Sequence, residues 1–433
     1  MNLRSGRRQF LQAIAATTVA SGTACQNRID PTPSSSGGAS SSGGASSSGG
    51  ASSSGGASSS GGASSSRGGA GGTDGSASGT ASQTTAGTSG SGGSGQPRLT
   101  SPLGVALLGL GKYASERLAP ALQLTKHCRL KGIVTGTPSK IPTWQAQYGI
   151  EEKNVYSYDT MDALLDNPDI HVVYIVTPNH LHAQFAIAAA RAKKHVWCEK
   201  PMAMTPEQCQ SMIDACAENG VKLCIGYRLQ HEPNTQTVIG YASARPFGAP
   251  QQVDALSGFN GFGPSDADVW RLKKIPGGGS LFDMGVYCIN AARHALGEEP
   301  IRVSRARQWT ERPNLFAEVD EWTEFELEFP SGAVASCRSS FGENIDSLNI
   351  TCASGSYKLE PFQGYTGVRG AASDGTQFNQ TIENQQARQM DDDALAIIEG
   401  RDVLVPGQEG QRDVRILLAV QQSAQTGQPV RLA

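Results

Sequence analysis

The 433-residue chain carries 36 lysines and arginines against 39 aspartates and glutamates, a formal net charge of −3, with 52 glycines and 9 cysteines. No basic run lies in its globular part, which excludes a nucleic-acid footprint, and no segment reaches the roughly 18 uninterrupted apolar residues of a membrane-spanning helix. The expected partner is a small molecule.

In chain order, Arg7-Arg8-Gln9-Phe10-Leu11 precedes a weakly apolar run of small residues over 13–24. This reads as an export signal of the twin-arginine type over 1–24, with an ordinary secretory signal as the alternative. Cys25 follows Gly22-Thr23-Ala24, which resembles a lipoprotein cleavage box apart from a glycine where an apolar residue is usual. The protein is expected in the periplasm or cell envelope, either lipid-anchored at Cys25 or freed by cleavage after Ala24. Residues 25–98 read as a linker: 31–97 are nearly all Ser, Gly, Ala and Thr, and SSSGGA runs five times from Ser34 to Ala63. Such a tract has nothing with which to build a core and gives a flexible tether with a reach of roughly 45 Å.

From Leu103 short apolar runs alternate with helical patterns. Strands are predicted over 104–110, 130–135, 171–176, 195–198 and 222–225, and helices over 113–123, 139–148, 161–165, 182–192 and 206–218. Strict alternation indicates a doubly wound parallel sheet, a Rossmann domain over 99–226. After about Tyr227 come helices over 234–244 and 280–296 and a run of strands over 251–256, 301–309, 321–329, 333–339, 347–352 and 357–360. Helices over 383–398 and 409–426 close the chain. Sequential strands predict an α+β domain over 227–433 with a largely antiparallel open sheet. The eight cysteines after Cys25 form no CxxC pair and no zinc-type cluster, so buried free thiols are expected and no metal.

Gly109-Leu110-Gly111-Lys112-Tyr113-Ala114 stands where a strand gives way to a helix. There the glycines allow a tight turn and close approach to a pyrophosphate, whose charge the first helical amides meet. A turn without ligand is the bland alternative. The second strand ends in Val134-Thr135-Gly136-Thr137-Pro138-Ser139-Lys140 with no carboxylate for a ribose. Hydroxyls of Thr135 and Ser139 and the ammonium of Lys140 suit a 2′-phosphate, so NADP is favoured over NAD. Thr177, Pro178, Asn179 and His182 follow another strand, and Glu199-Lys200-Pro201 a further one, at the carboxyl edge where ligands of such sheets bind. Hydride transfer from a carbinol needs a group to take the hydroxyl proton. Lys200, Asp283 and Tyr287 suffice: an ammonium that favours phenolate, a phenol that carries the proton, and a carboxylate that orients lysine or substrate. Asp283 and Tyr287 lie four apart on one predicted helix; a surface pair there, and a solvated turn at Lys200, are the alternatives.

The segments LGLGKYA (108–114), YIVTPNHLHAQFAI (174–187), KHVWCEKPMA (194–203), IGYRLQHEP (225–233), VWRLKK (269–274), GGGSLFDMGVYCINAARHALGEEP (277–300) and PGQEGQRDVR (406–415) together resemble the glucose-fructose oxidoreductase / inositol dehydrogenase family. The resemblance implies that Lys200 is the catalytic lysine of the EKP motif, that Asp283 and Tyr287 share its site, and that Lys140 meets a 2′-phosphate. Tyr227, Arg228, Trp270 and Arg271, inside the matching segments, join the expected cofactor-binding set. It further implies ping-pong transfer of hydride between tightly bound NADP and two sugars, in a dimer or tetramer. The Ser/Gly tether stands where a similar member of that family has a proline-rich arm that wraps a neighbouring subunit, and residues 257–268 are expected to line the sugar site. A dehydrogenase with exchangeable NAD(P), a glycoside hydrolase using bound NAD, and a noncatalytic sugar-binding lipoprotein are the competing readings.

Overall fold

A computed structural model describes residues 100–432. The expected export signal, linker and lipidation site lie outside the described residues.

Six parallel strands, β1 (Leu103–Leu108), β2 (Cys128–Val134), β3 (Val155–Tyr156), β4 (Val172–Ile175), β5 (His195–Cys198) and β6 (Leu223–Ile225), form one sheet in the order β3-β2-β1-β4-β5-β6. All six residues of β1 are buried, as a strand covered by helices on both faces requires. The order reverses between β1 and β4, which opens a crevice at their carboxyl ends. The second sheet has nine strands, adding β7 (Pro250–Gly258), β8 (Arg302–Trp309), β9 (Trp322–Glu328), β10 (Val334–Ser340), β11 (Ile345–Cys352), β12 (Gly355–Leu359), β13 (Gly370–Ala372), β14 (Gln377–Phe378) and β15 (Val430–Arg431). Its order is β14-β13-β12-β11-β7-β10-β9-β8-β15, antiparallel except where β7 pairs with β10. The predicted fold class, a Rossmann sheet followed by an α+β domain, is the one observed.

Differences from the predicted elements are local. The first helix, α1, opens with a π-helical stretch (Ala114–Leu118) before Ala119–Leu122. The pattern at 161–165 belongs to a longer 3₁₀ segment, Tyr158–Asp166, entered at Ser157, whose amide donates to Thr160 Oγ1 at 2.9 Å. The strands β3, β13, β14 and β15 are two or three residues long, too short to show a period. The helix Gln385–Glu399, which the sequence places with the second domain, buries Ala387, Met390, Ala394 and Ile397 in one core with Leu103, Val105 and Leu107 of β1. The last helix, Gly407–Thr426, also packs toward the first sheet, and a Cβ at Gly410 would sit 2.8 Å from that of Met202. Helices from the second half of the sequence thus pack onto the first sheet.

Candidate active site

The turn after β1 needs both its glycines, for different reasons. Gly109 has φ of 96°, and a Cβ there would fall 2.7 Å from the carbonyl oxygen of Val176. Gly111 has nothing within 4 Å of where its Cβ would be, so open space faces the start of α1. Lys140 is drawn to this turn, its ammonium donating to the carbonyl of Leu110 at 2.8 Å. Thr135 is buried and accepts from the amide of Thr137 at 3.0 Å, while a Cβ on Gly136 would fall 2.6 Å from the ring of Tyr158. Beyond β4 the buried Thr177 hydroxyl has no hydrogen-bond partner. An open glycine turn before a helix, a nearby ammonium and an orphaned hydroxyl fit a dinucleotide. No carboxylate stands among Thr135, Gly136 and Lys140 to exclude a 2′-phosphate.

A second glycine run builds the catalytic corner. Gly277 and Gly279 have φ of 84° and 100°, and a Cβ on Gly278 would lie 2.3 Å from the carbonyl oxygen of Arg271. Only glycine lets the 271–273 backbone press so closely, and that contact delivers Arg271 to the following helix. The amide of Asn179 donates to the Gly277 carbonyl at 2.8 Å, joining the loop after β4 to the same run. Asp320 then fixes the helix start, accepting from the Ser280 hydroxyl at 2.7 Å and the Leu281 amide at 2.8 Å. The helix begins as a π turn (Leu281–Gly285) and continues as Val286–Leu296, so Asp283 and Tyr287 are buried rather than a surface pair.

At the end of β5 the Lys200 ammonium donates to the main-chain oxygen of Asp283 at 2.8 Å and stands 3.5 Å from its Oδ1. It also lies 4.3 Å from the centroid of the Tyr287 ring. Arg271 Nε donates to Asp283 Oδ2 at 2.8 Å. Burial alone would raise the Asp283 carboxyl, but the guanidinium of Arg271 and the ammonium of Lys200 outweigh it and hold it below the usual carboxylate range. Burial would lower Lys200, yet Tyr287, Asp283 and Glu199 together push it above an ordinary lysine. The corner is therefore a fixed ammonium–carboxylate–guanidinium unit beside a phenol.

The other residues expected at the cofactor each make contacts within the protein. His182 is wholly buried, with Nδ1 3.0 Å from the Pro201 carbonyl and Nε2 2.9 Å from that of Thr177. Burial pushes its imidazole down to about 4 against the pull of these two carbonyls, and the ring braces two loops. Tyr227 is buried beside Asp413, in a network where Arg293 meets Glu409 and Asp413 at 2.8 and 2.6 Å. Arg271 is committed to Asp283, with its guanidinium over the ring of Trp270. Glu199 accepts from the Tyr174 hydroxyl at 2.7 Å and is raised by burial. Lys112 is exposed and pairs only loosely with Glu116, at 4.0 Å. Pro178 forms the entry to the 3₁₀ turn Asn179–Leu181, and the Tyr113 hydroxyl lies 3.4 Å from the Gln386 amide. Arg228 is buried with its guanidinium 5.9 Å from the Tyr287 ring and 4.3 Å from that of Tyr365. Neither Tyr365 nor Arg117, which stacks on it, belongs to a sequence motif.

Residues 103–227 match the oxidoreductase family described as an NAD-binding Rossmann fold, and residues 241–358 match the GFO/IDH/MocA C-terminal domain. The aldose-aldose oxidoreductase of Caulobacter crescentus, solved with glycerol, superposes with a TM-score of 0.73 at 39% identity over 76% of this chain and 100% of that one. The chain belongs to the GFO/IDH/MocA family. This family member is 27% identical to the NADP(+) D-xylose 1-dehydrogenase of Haloarcula marismortui over 78% of the chain and 95% of the relative. It is 26% identical to the D-glucoside 3-dehydrogenase of Escherichia coli over 77% and 98%. The family member is thus an NAD(P)-dependent oxidoreductase, and its glycine turn and Lys200 corner lie on opposite sides of the crevice that a Rossmann sheet offers to a dinucleotide.

Proposed function

We propose that this protein is an exported sugar oxidoreductase that retains NADP and alternates between oxidising one aldose and reducing a second carbonyl sugar. The convergence of Lys200, Asp283, Tyr287 and Arg271 in one buried corner carries the reading. The likeness to an aldose-aldose oxidoreductase along that protein's whole length supports it.

When bound, NADP supplies or accepts the hydride. Of the three N–H groups of Lys200, one is spent on the Asp283 carbonyl and one faces its carboxylate, which leaves the third for a substrate oxygen. An ammonium held above its ordinary pKa is a donor, not a base. Lys200 therefore polarises the sugar oxygen; the Tyr287 oxygen takes the carbinol proton as phenolate on oxidation and, as phenol, returns it on reduction. Asp283, gripped by Arg271, keeps the lysine from swinging away. Arg7-Arg8 as a twin-arginine export signal, a periplasmic or cell-envelope location, lipidation at Cys25 and homo-oligomer assembly belong to the same proposal. Folded export would let the dinucleotide be loaded before crossing the membrane.

The test is to purify the protein without added dinucleotide and record its near-ultraviolet absorbance. A band that grows on adding glucose and is discharged by a second carbonyl sugar is expected. A band that forms but no sugar discharges would favour an NAD(P) dehydrogenase that exchanges its cofactor, the reading to which the similarity to D-xylose 1-dehydrogenase points. Release of sugar from a glycoside with no net redox change would replace both.

A further inference from the structure

Cations and aromatic rings alternate through the crevice in one column. Arg117, on α1 just beyond the glycine turn, has its guanidinium 4.5 Å from the centroid of Tyr365. Arg228 lies 4.3 Å from that centroid and 5.9 Å from Tyr287, whose ring in turn receives Lys200 at 4.3 Å. Arg228 is buried, and its Nε has no hydrogen-bond partner. Tyr365, by contrast, is 45% exposed.

The segment that carries Tyr365 runs between β12 and β13 and is fixed on both sides of the crevice. The amides of Phe362 and Gln363 each donate to Asp346 Oδ1 at 2.9 Å, which ties the segment to β11. Arg228 Nη2 donates to the Gln363 carbonyl at 2.6 Å, and the Gln385 amide to the Gly364 carbonyl at 3.0 Å. The ring thus belongs to the nine-stranded sheet yet meets a side chain from the helix that opens the dinucleotide site. Two guanidinium groups stand within 4.5 Å of its centroid and compete with a sugar for stacking on the ring.

We propose that Tyr365 is a latch: stacked between Arg117 and Arg228, it ties α1 to the substrate sheet across the crevice and slows the escape of a bound dinucleotide. The inference rests on the reading that this chain holds NADP(H), and it assigns retention to residues of the chain itself. Widening the crevice separates Arg117 from the Tyr365 segment and breaks the stack. Tyr365 is a positioning residue that takes no part in proton or hydride transfer.

The protein, loaded with NADPH and freed of excess, is chased with NADP⁺ while the fluorescence of bound NADPH is followed. Tyr365→Ala should release NADPH about tenfold faster, as two lost cation–π contacts imply. Tyr365→Phe keeps the ring and should stay within about twofold of the parent. Arg117→Gln, at an exposed position, should also release faster, and it carries the test if alanine at 365 impairs folding. Parental release from both Tyr365→Ala and Arg117→Gln, or equal acceleration by phenylalanine and alanine, overturns the latch alone. A parent chain that binds no NADPH overturns both the latch and the function on which it rests.

Discussion

The Lys200 ammonium meets the face of Tyr287 and the backbone and carboxylate of Asp283, so each partner has a separable task. Tyr287→Phe keeps the ring against the ammonium and removes only the hydroxyl. It should hold the dinucleotide and unfold at the parental temperature while kcat falls by about 10²–10⁴-fold. Parental turnover in this variant would take the phenol out of the mechanism. Asp283→Asn leaves two buried cations without their counter-charge and should lose both turnover and stability, by about 3 kcal/mol or more in a denaturant melt. The signs of the two shifts set the pH window. Asp283 has a depressed pKa, so what it contributes is present above the unfolded value and lost as acid drives pH down through the folded one. Lys200 has a raised pKa, so its contribution is present below the unfolded value and lost only as pH climbs through the folded one. The pair therefore keeps its charges across the neutral range. Any change in kcat between pH 6 and 8 that disappears in Asp283→Asn would contradict this.

At the scale of elements, the glycine turn was legible because its meaning is local: a strand, a tight turn and a helix within a dozen residues. The Gly277–Gly279 run and the Lys200 loop were legible through their motifs. The column Arg117–Tyr365–Arg228 was not, since its members come from three elements far apart in sequence and none carries a pattern. His182 misled for a related reason. Its position beyond β4 matched a ligand-facing loop, but whether a side chain turns to solvent or into the core is decided by packing that no local window records. The helix Gln385–Glu399 hides a further example in Asp393, buried among Cys224, Gln389, His231 and Asp392. Burial, opposed by His231 and Cys224, raises its carboxyl from 3.8 to about 6. A raised acid costs stability progressively as pH rises from the unfolded value through the folded one, and the full cost applies above that. Asp393→Asn should therefore stabilise the protein at pH 8 by up to about 3 kcal/mol in a denaturant melt and have little effect at pH 4. Equal destabilisation at both pH values would show that the carboxylate is a needed partner instead.

For the whole molecule, the cysteines connect fold to environment. Cys128, Cys198 and Cys224 lie on the parallel strands, Cys209, Cys216 and Cys288 on helices, and Cys337 and Cys352 in the nine-stranded sheet; all eight are free and buried. The sequence reading of buried free thiols holds for these eight, and the fold explains why. Each sits on an inward position of its element, where it serves as a small apolar side chain. Burial raises every one of these thiols, with Cys128, Cys209 and Cys216 pushed up to about 12. The thiolate is the reactive form, and at pH 8 a thiol of that pKa is ionised only to roughly one part in 10⁴. Low ionisation and low access act together, so an oxidising compartment would not cross-link the fold and reducing agents would not loosen it. A Cys25→Ser variant isolates the eight. Treated with an aromatic disulfide reagent at pH 8, it should show no fast-reacting thiol while folded and release eight equivalents in denaturant. Its unfolding midpoint should be the same with and without reductant. Two or more rapidly reacting thiols in the folded variant, or a midpoint that drops on reduction, would mean that part of the fold holding these cysteines opens or is bridged in solution.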